Sequence, residues 1–518
     1  MKYILNDNIA LRSWIDYANA ILSKHTARAN RIGRDKFELL KKCDGLNDIE
    51  DSDTLNKLIN EGYVKEAING ERLTEWQQYK RFDNMYIPTI FLRATGVCNF
   101  NCKHCFNATD INRDTSRWTL DEFKKLIKEA KECGVHSFSF TGGEPLLNPD
   151  FIEIIKEVYK NDMIVDSIAT NAYYFTQEFF DELKSVGCKC SFRISFDTLG
   201  HHDWMRGEEG VEAKCIEKIK LCVSNHHYIT INSQVNKITM DSVFKTAEYM
   251  ESIGVDCVRF IRTSESPRWA KYAGDANLNI NEYFDFFVDF LKNFFSKPRK
   301  LSIIIWEMGT FYPDEKNYTY SAMRCDKNLY NDKLATCSDR KYEACIGSEG
   351  LLFPCHQSSG GYEAYGVKFP NVKEIGFKEA IKDPEYLKHA RMTLGELIKN
   401  AKPSVGFSDY LKTVGLNESV SYDSFDCKTC KHFKQCQGGC RAVGLIFSGT
   451  FYGPDIFSCI FYKGDYDKKV KEVLPEDWKN TIRYAEDASY HEGDISNLPI
   501  DECMDARKKS SGNAENIK

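Results

Sequence analysis

A chain of 518 residues is too long for one ordinary domain, and with 42% apolar and 13% aromatic residues it can bury substantial cores. Its 70 basic and 76 acidic side chains leave a net charge of -6, which argues against a protein held to nucleic acid by a basic face. No apolar run approaches the ~18 residues of a membrane span. The start, MKYILNDNIALRSW, lacks a long apolar core and a small-residue cleavage site, so a cytoplasmic location is expected, with no nucleic-acid or membrane partner.

The first 87 residues have their own character. YILNDNIALRSW and YANAILSKHT contain candidate strands. FELLKKCDGLNDI reads as a short helix stopped at Asp44-Gly45, and SDTLNKLINEGYV as a second helix with Ser52 as N-cap and Gly62 as its stop. Strands with two short helices fit a small winged-helix-like module.

From Pro88 to about Ser296 the chain alternates strand and helix. The strands are IFLRAT, HSFSFT, MIVDSIAT, SFRISFD, YITINSQV and CVRFIR. Between them lie amphipathic helices such as TLDEFKKLIKEAKEC, which Thr119 and Glu122 open as a capping box. Others are expected after Pro149, Thr176, Gly210 and Met240. Such alternation predicts an α/β fold with a parallel sheet covered by helices, here a partial barrel of six units over residues 88–300. By analogy with complete barrels, its ligand site is expected at the C-terminal strand ends. LSIIIW adds one more candidate strand. Residues 301–473 then read as a loop-rich domain, poor in helix and held by metal rather than a large core, and residues 474–518 as a polar tail.

Twenty cysteines in a chain with no secretory signal do not read as a disulfide scaffold. Cys43, Cys133, Cys188, Cys190, Cys215, Cys222, Cys257, Cys345 and Cys503 sit without a partner pattern and read as packing. The others fall in two groups. The first follows the first barrel strand in CNFNCKHCFN: Cys98, Cys102 and Cys105. Three thiolates on one short loop can hold three corners of a 4Fe-4S cube. The alternative is zinc, whose structural sites want four closed ligands. The second strand ends in Gly142-Gly143-Glu144-Pro145, where glycine lets backbone approach a ligand closely. The third ends in Thr170-Asn171, and the fourth delivers Ser195, Asp197 and then Arg206. His201 and His202 read as loop residues rather than ligands.

These motifs together resemble a radical SAM enzyme over roughly Pro88 to Ser296. The resemblance implies that Cys98, Cys102 and Cys105, followed by the aromatic Phe106, bind a 4Fe-4S cluster. It implies that Gly142, Gly143 and Glu144 hold the methionyl amine of S-adenosylmethionine, Ser195 and Arg206 its carboxylate, and Asn171 the ribose. The reaction implied is reductive cleavage to methionine and a 5'-deoxyadenosyl radical, the cofactor carrying the chemistry and the protein positioning it.

The second group, Cys427, Cys430, Cys436, Cys440 and Cys459 with Cys337 and Cys355 upstream, resembles the SPASM extension of radical SAM peptide modifiers. That resemblance implies two auxiliary 4Fe-4S clusters. One uses Cys337, Cys355 and Cys440, with Cys325 as a candidate fourth ligand; the other uses Cys427, Cys430, Cys436 and Cys459. A zinc ribbon is the alternative for a Cys-x-x-Cys start. Cys345 is a weaker candidate ligand. His356 stands where sulfatase-maturing relatives are expected to carry an aspartate base, which counts against that activity.

The N-terminal residues resemble a RiPP recognition element, a module that captures a leader peptide as an added strand. The reading that follows is a maturase forming a thioether in a ribosomally made precursor bound through its leader, with flavodoxin or ferredoxin as electron donor. Carbon-carbon crosslinking, sulfatase maturation and a zinc-ordered binding protein are the alternatives.

Overall fold

The strand-helix alternation folds as its periodicity requires. The computed structural model describes residues 1–105, 115–263, 267–320, 330–337, 341–358, 366–404 and 425–481. Phe106, Cys325 and Cys503, and most of the polar tail, lie outside these residues.

The N-terminal region builds two small sheets. Its strands are β1 (Lys2–Leu5), β2 (Ile9–Ser13), β3 (Ala20–Ser23), β4 (Asn30–Arg31), β5 (Asp44–Asp48), β6 (Val64–Glu66) and β7 (Lys80–Arg81). β1 lies between β5 and β6, antiparallel to both, while the second sheet runs β4-β3-β2-β7. Helices Arg34–Lys42 and Asp53–Asn60 cover them, and Ser52 Oγ accepts the Leu55 N–H at 3.2 Å as an N-cap. Leu5, Leu11, Phe37, Leu40, Leu55 and Leu58 form the core of this part. The DGLND run, expected only to stop a helix, is itself strand β5. The region is anchored to the barrel by Trp14, whose Nε1–H donates to the Cys133 carbonyl at 3.1 Å, and to the C-terminal part by an ion pair of Asp16 with Arg391 at 2.7 Å.

All six expected barrel strands form: β8 (Thr89–Arg93), β9 (Ser137–Thr141), β10 (Ile164–Thr170), β11 (Ser191–Ser195), β12 (Ile229–Val235) and β13 (Cys257–Arg262). They pair in chain order, each parallel to the next. Their alternation is physical: Phe138, Phe140, Ile168, Phe192, Ile194 and Ile231 are fully buried, at 0% exposure, in one cluster with apolar residues of the covering helices, among them Phe123, Ile154, Phe180 and Ile219. The Thr119–Glu122 capping box is present at the start of helix Leu120–Glu132.

The sheet continues past residue 300. β14 (Ser302–Ile305) pairs parallel with β13, and β15 (Gly309–Tyr312) and β16 (Asn317–Tyr320) add antiparallel strands. On the opposite edge β17 (Glu343–Ile346) lies parallel to β8, followed by β18 (Leu352–Phe353), and β19 (Lys479–Asn480) closes the far edge. Among the described residues, twelve strands therefore share one sheet.

The C-terminal part is loop-rich, and its helices are short: among them are Pro384–Ala390, Leu394–Asn400, Arg441–Ser448, Ile456–Lys463 and Tyr466–Val473. It also has a core of its own around Leu394, Leu397, Phe433, Leu445 and Phe451. No disulfide joins the described cysteines, and no described helix is long and apolar enough to cross a membrane.

Helix Ile280–Phe294 joins the two halves. Phe284, fully buried, meets Phe461 at 5.4 Å and Tyr466 at 5.0 Å between ring centroids. Truncating it removes a large buried ring from both parts at once. Phe284→Ala is expected to cost about 3–5 kcal/mol and to lower the thermal midpoint of the whole chain. A midpoint within a degree or so of the parent would show that the halves are not coupled through this ring.

Candidate functional site

The candidate site lies where β8, β9, β10 and β11 end. After β8 the chain runs through Thr95, Gly96 and Val97 into the first cysteine loop, and the segment after β9 is laid directly on this stretch. Gly143 N–H donates to the Thr95 carbonyl at 2.7 Å and Glu144 N–H to the Val97 carbonyl at 2.8 Å. A Cβ on Gly142 would stand 2.5 Å from the Thr95 carbonyl oxygen, and one on Gly143 would lie only 2.2 Å from that of Val97. Both glycines thus permit close approach of backbone to backbone, at the root of the cysteine loop, where the sequence suggested approach to a ligand.

Glu144 is fully buried and turned inward. Its carboxylate accepts the Thr170 hydroxyl at 2.7 Å, the Asn171 N–H at 2.8 Å and the Leu146 N–H at 3.3 Å. Burial raises its pKa to about 7, opposed by those three hydrogen bonds. Asn171 also donates from Nδ2 to Asn99 Oδ1 at 2.8 Å, so the end of β10 grips the loop between Cys98 and Cys102.

Cys98, Cys102 and Cys105 gather in one small cluster with Phe100, Val211 and Tyr173, with Cys102 the most buried of the three. Burial pushes the Cys98 thiol up to about 12, and raises Cys102 as well, despite the nearby Arg206 cation. Arg206 is itself buried; its Nε pairs with the fully buried Asp197 at 2.9 Å and its Nη1 points to Cys102 Sγ at 3.7 Å. This pair holds Asp197 well below the usual carboxylate range. Two contacts from afar, invisible in the local motif, fix the loop further. Arg268 donates from Nε to the Cys102 carbonyl at 3.0 Å and from Nη2 to that of Asn101 at 3.1 Å. Lys103 N–H reaches the Met205 carbonyl at 2.9 Å. His202 is a core residue whose Nδ1 accepts the Asp197 N–H at 3.0 Å. Ser195 closes β11, its carbonyl facing the Cys215 thiol at 3.8 Å.

Donor chemistry fits an iron-sulfur group: three thiols, a permanent guanidinium cation at one of them, and an apolar wall. Loading it would displace the thiol protons that burial now retains. Among the described residues, no group of three His, Cys, Asp or Glu side chains is placed to hold a metal ion.

A second thiol group lies in the C-terminal part. Cys427, Cys430, Cys436 and Cys459 line one pocket, together with Phe425, Phe433, Ser458 and Tyr462. Burial raises the Cys427 thiol to about 12, and burial with the neighbouring thiols raises Cys459 further. Cys440 Sγ lies 3.7 Å from Gln357 Oε1, which brings the turn after Cys355 to the start of helix Arg441–Ser448. The Cys337 carbonyl accepts the Lys341 N–H. Cys345 is buried within β17 beside Phe353. His356 is buried against β8, Nε2 lying 3.0 Å from the Phe91 carbonyl, and burial takes its pKa to about 3.

Gly143→Ala drives a methyl into the Val97 carbonyl and should separate the two backbones. An expected loss of about 1–3 kcal/mol should appear in unfolding, together with reduced iron uptake on anaerobic reconstitution. Parental stability and iron would show that the two strands do not hold the loop.

Residues 92–232 match the family model described as Radical SAM superfamily. The PqqA peptide cyclase of Bradyrhizobium diazoefficiens is 29% identical over 151 residues, covering 29% of this chain and 39% of that protein. The radical SAM cyclopropyl synthase TigE of Paramaledivibacter caminithermalis is 25% identical over 484 residues, 87% of this chain and 90% of that protein. The chain spans less than half of the length of the first curated relatives it matches. Among solved structures, that of Streptococcus suis SuiB bound to precursor peptide SuiA has a TM-score of 0.56 at 15% identity, covering 85% of this chain and 96% of that one. The parallel sheet, the three-thiol loop at its C-terminal edge and the family match agree, and the chain carries a domain of the Radical SAM superfamily, whose fold binds S-adenosylmethionine and a 4Fe-4S cluster.

Proposed function

We propose that this chain is a radical SAM peptide maturase acting on a ribosomally made precursor. The observation that carries the reading is the gathering of Cys98, Cys102 and Cys105 with Arg206 at the open end of the sheet. When bound there, a 4Fe-4S cluster and S-adenosylmethionine would supply one electron and a 5'-deoxyadenosyl radical able to take hydrogen from a substrate. The chain's own residues bind and orient. Cys98, Cys102 and Cys105 would ligate the iron, Arg268 fixes their loop through two carbonyls, and Asn171 and Ser195 at adjacent strand ends, with Arg206 in the short helix His202–Arg206, would serve the nucleoside and carboxylate.

The second thiol group supports an auxiliary redox role. Cys427, Cys430, Cys436 and Cys459 share a pocket and would form a closed set of four; Cys355 and Cys440, with Cys337, would serve a second cluster. Peptide as the substrate class is supported by the named relatives, PqqA peptide cyclase among them. It is also supported by the N-terminal sheet, whose β5 and β6 are edge strands, with Leu46 on β5 half-exposed at 51%. An edge of this kind accepts an added strand of leader.

The sequence ranks thioether formation first. A carbon-carbon bond is the second reading, and the likeness to a cyclopropyl synthase over 87% of the chain favours it. The two differ in a thiol: a thioether removes a free cysteine from the product, whereas a carbon-carbon closure leaves every thiol open to alkylation. His356, buried against Phe91, offers no base of the kind expected for sulfatase maturation.

The triple variant Cys98→Ala/Cys102→Ala/Cys105→Ala is expected to lose 5'-deoxyadenosine formation completely while retaining the iron bound at the C-terminal thiols. Chromatography of the nucleoside products and iron analysis read the two independently. Deoxyadenosine at the parental level from this variant would overturn the reading.

A further inference from the structure

We propose, resting on the maturase reading above, that the inner face of the barrel sheet holds a carboxylate-binding site centred on Arg193. Through it the enzyme selects a peptide with an acidic residue in the segment that enters the barrel. Successive side chains of a strand point to opposite faces. Phe192 and Ile194 of β11 lie in the helix-covered core, so Arg193 between them points inward. The same parity puts Asn232 and Gln234 of β12 and Arg259 of β13 on the inner face, with Asn232 in register between Ser195 and Arg259.

This part of the inner face is open. Arg193, Asn232, Gln234 and Arg259 are half-buried, each between two neighbours at 0% exposure. Across the barrel the same face is filled: the Phe91 ring of β8 meets that of His356 at 4.8 Å, and Cys345, in register with Phe91, is buried. Among the described residues, the Arg193 side chain has no hydrogen bond, ion pair or ring contact. The carboxylates around it are engaged. Asp197 pairs with Arg206 at 2.9 Å, and Glu144 accepts Thr170 and Asn171. Asp166 on β10 accepts the Ser139 hydroxyl at 3.3 Å; its charge is intact, yet no described ion pair joins it to Arg193. Glu343 on β17 pairs with Arg28 at 3.4 Å. Arg259 lies over the Trp306 ring at 5.6 Å. The Asn232 side chain makes no described hydrogen bond, its Oδ1 being buried without a partner, and that of Gln234 makes none either.

A guanidinium cannot lose its proton, and its planar fork matches a carboxylate through two parallel charge-assisted hydrogen bonds. Inside a barrel, where the surroundings are less polarisable than water, an unmatched cation gains more from an anion than it would on the surface. The Asn232 and Gln234 amides add N–H donors beside it. Arg193 stands two residues, about 6–7 Å, below Ser195 and the sheet end that carries the three-thiol loop. An aspartate or glutamate gripped by Arg193 is therefore held with its backbone toward that end. The site binds and makes no bond. Its selectivity arises because an asparagine or glutamine of the same shape brings no charge to meet the guanidinium.

The test uses the full-length, anaerobically reconstituted protein with S-adenosylmethionine. The probe is an equimolar pool of short, acetylated, C-terminally amidated peptides with randomised neutral flanks and a central Asp, Glu, Asn or Gln. Peptides retained by the protein are identified by mass spectrometry. Asp and Glu members are expected to be enriched about tenfold or more over their Asn and Gln counterparts. Arg193→Gln should abolish that enrichment, and Arg193→Lys, which keeps the charge but not the fork, should keep part of it. Where Arg193→Gln does not fold, Arg193→Met is read instead. Equal retention of acidic and amide members by the parent, or retention of none, overturns the site. So does enrichment that survives in a folded Arg193→Gln. Equal enrichment of a second pool, neutral within but with free C-termini, would assign the carboxylate to the chain end and overturn the acidic side chain. Deoxyadenosine formation by the parent is measured in the same samples. Its absence overturns the maturase reading, whereas its presence without a carboxylate preference overturns the arginine site alone.

Discussion

Two backbones in contact at the ends of neighbouring strands hold the site together. Thr95 to Val97 leads into the cysteine loop, and Gly142 to Glu144 lies against it through two main-chain hydrogen bonds of 2.7 and 2.8 Å. Any side chain at Gly142 or Gly143 would enter the space of a carbonyl oxygen. From this contact the rest follows. The loop leaves the sheet at a fixed angle, Asn171 can reach Asn99 within it, and Glu144 is turned inward to be satisfied by Thr170 and Asn171. The motif is therefore a clamp on the cysteine loop.

Buried charge is arranged around the same loop. Asp197 and Arg206 form a buried pair whose separation into single charges would be costly, since an unpaired buried charge loses its hydration without compensation. Arg206 spends one nitrogen on that pair and points another at Cys102. A cation that cannot lose its proton, placed beside a ligand sulfur, favours the thiolate and bears on the potential of whatever metal group the sulfur holds. Burial acts in the opposite sense and retains the thiol protons in the metal-free protein, so assembly of the site is coupled to proton release.

The sequence was most informative where local chemistry decides structure. Six strands, the Thr119–Glu122 capping box and the Ser52 cap were legible because an alternating apolar face or a cap bond is written within a few residues. The parts that escaped depend on distant partners. β17 joins β8 across some 250 positions of chain, and Arg268 meets Cys102 across 166. Nothing near Gln357 signals that its side chain will meet Cys440. The C-terminal helices were missed for a different reason: they run to eight residues or fewer among those described, too short for a periodic stripe to stand out, and they are stabilised by packing rather than by propensity, Leu394–Asn400 on the Leu394–Phe451 core and Ile456–Lys463 and Tyr466–Val473 on the barrel's core. Cys427, Cys430, Cys436 and Cys459 line one pocket, brought together by a tight turn and one returning helix.

The central claim is that a radical formed at the Cys98–Cys105 loop takes hydrogen directly from a peptide. Isotope transfer tests it most directly. The cognate precursor, deuterated at its carbon-bound positions, would be incubated with reduced enzyme and S-adenosylmethionine, and the nucleoside and peptide products examined by mass spectrometry. The account expects deuterium in 5'-deoxyadenosine, matched by peptide that has lost the same label. Deoxyadenosine that forms at full yield without deuterium, beside an unaltered peptide, would contradict it.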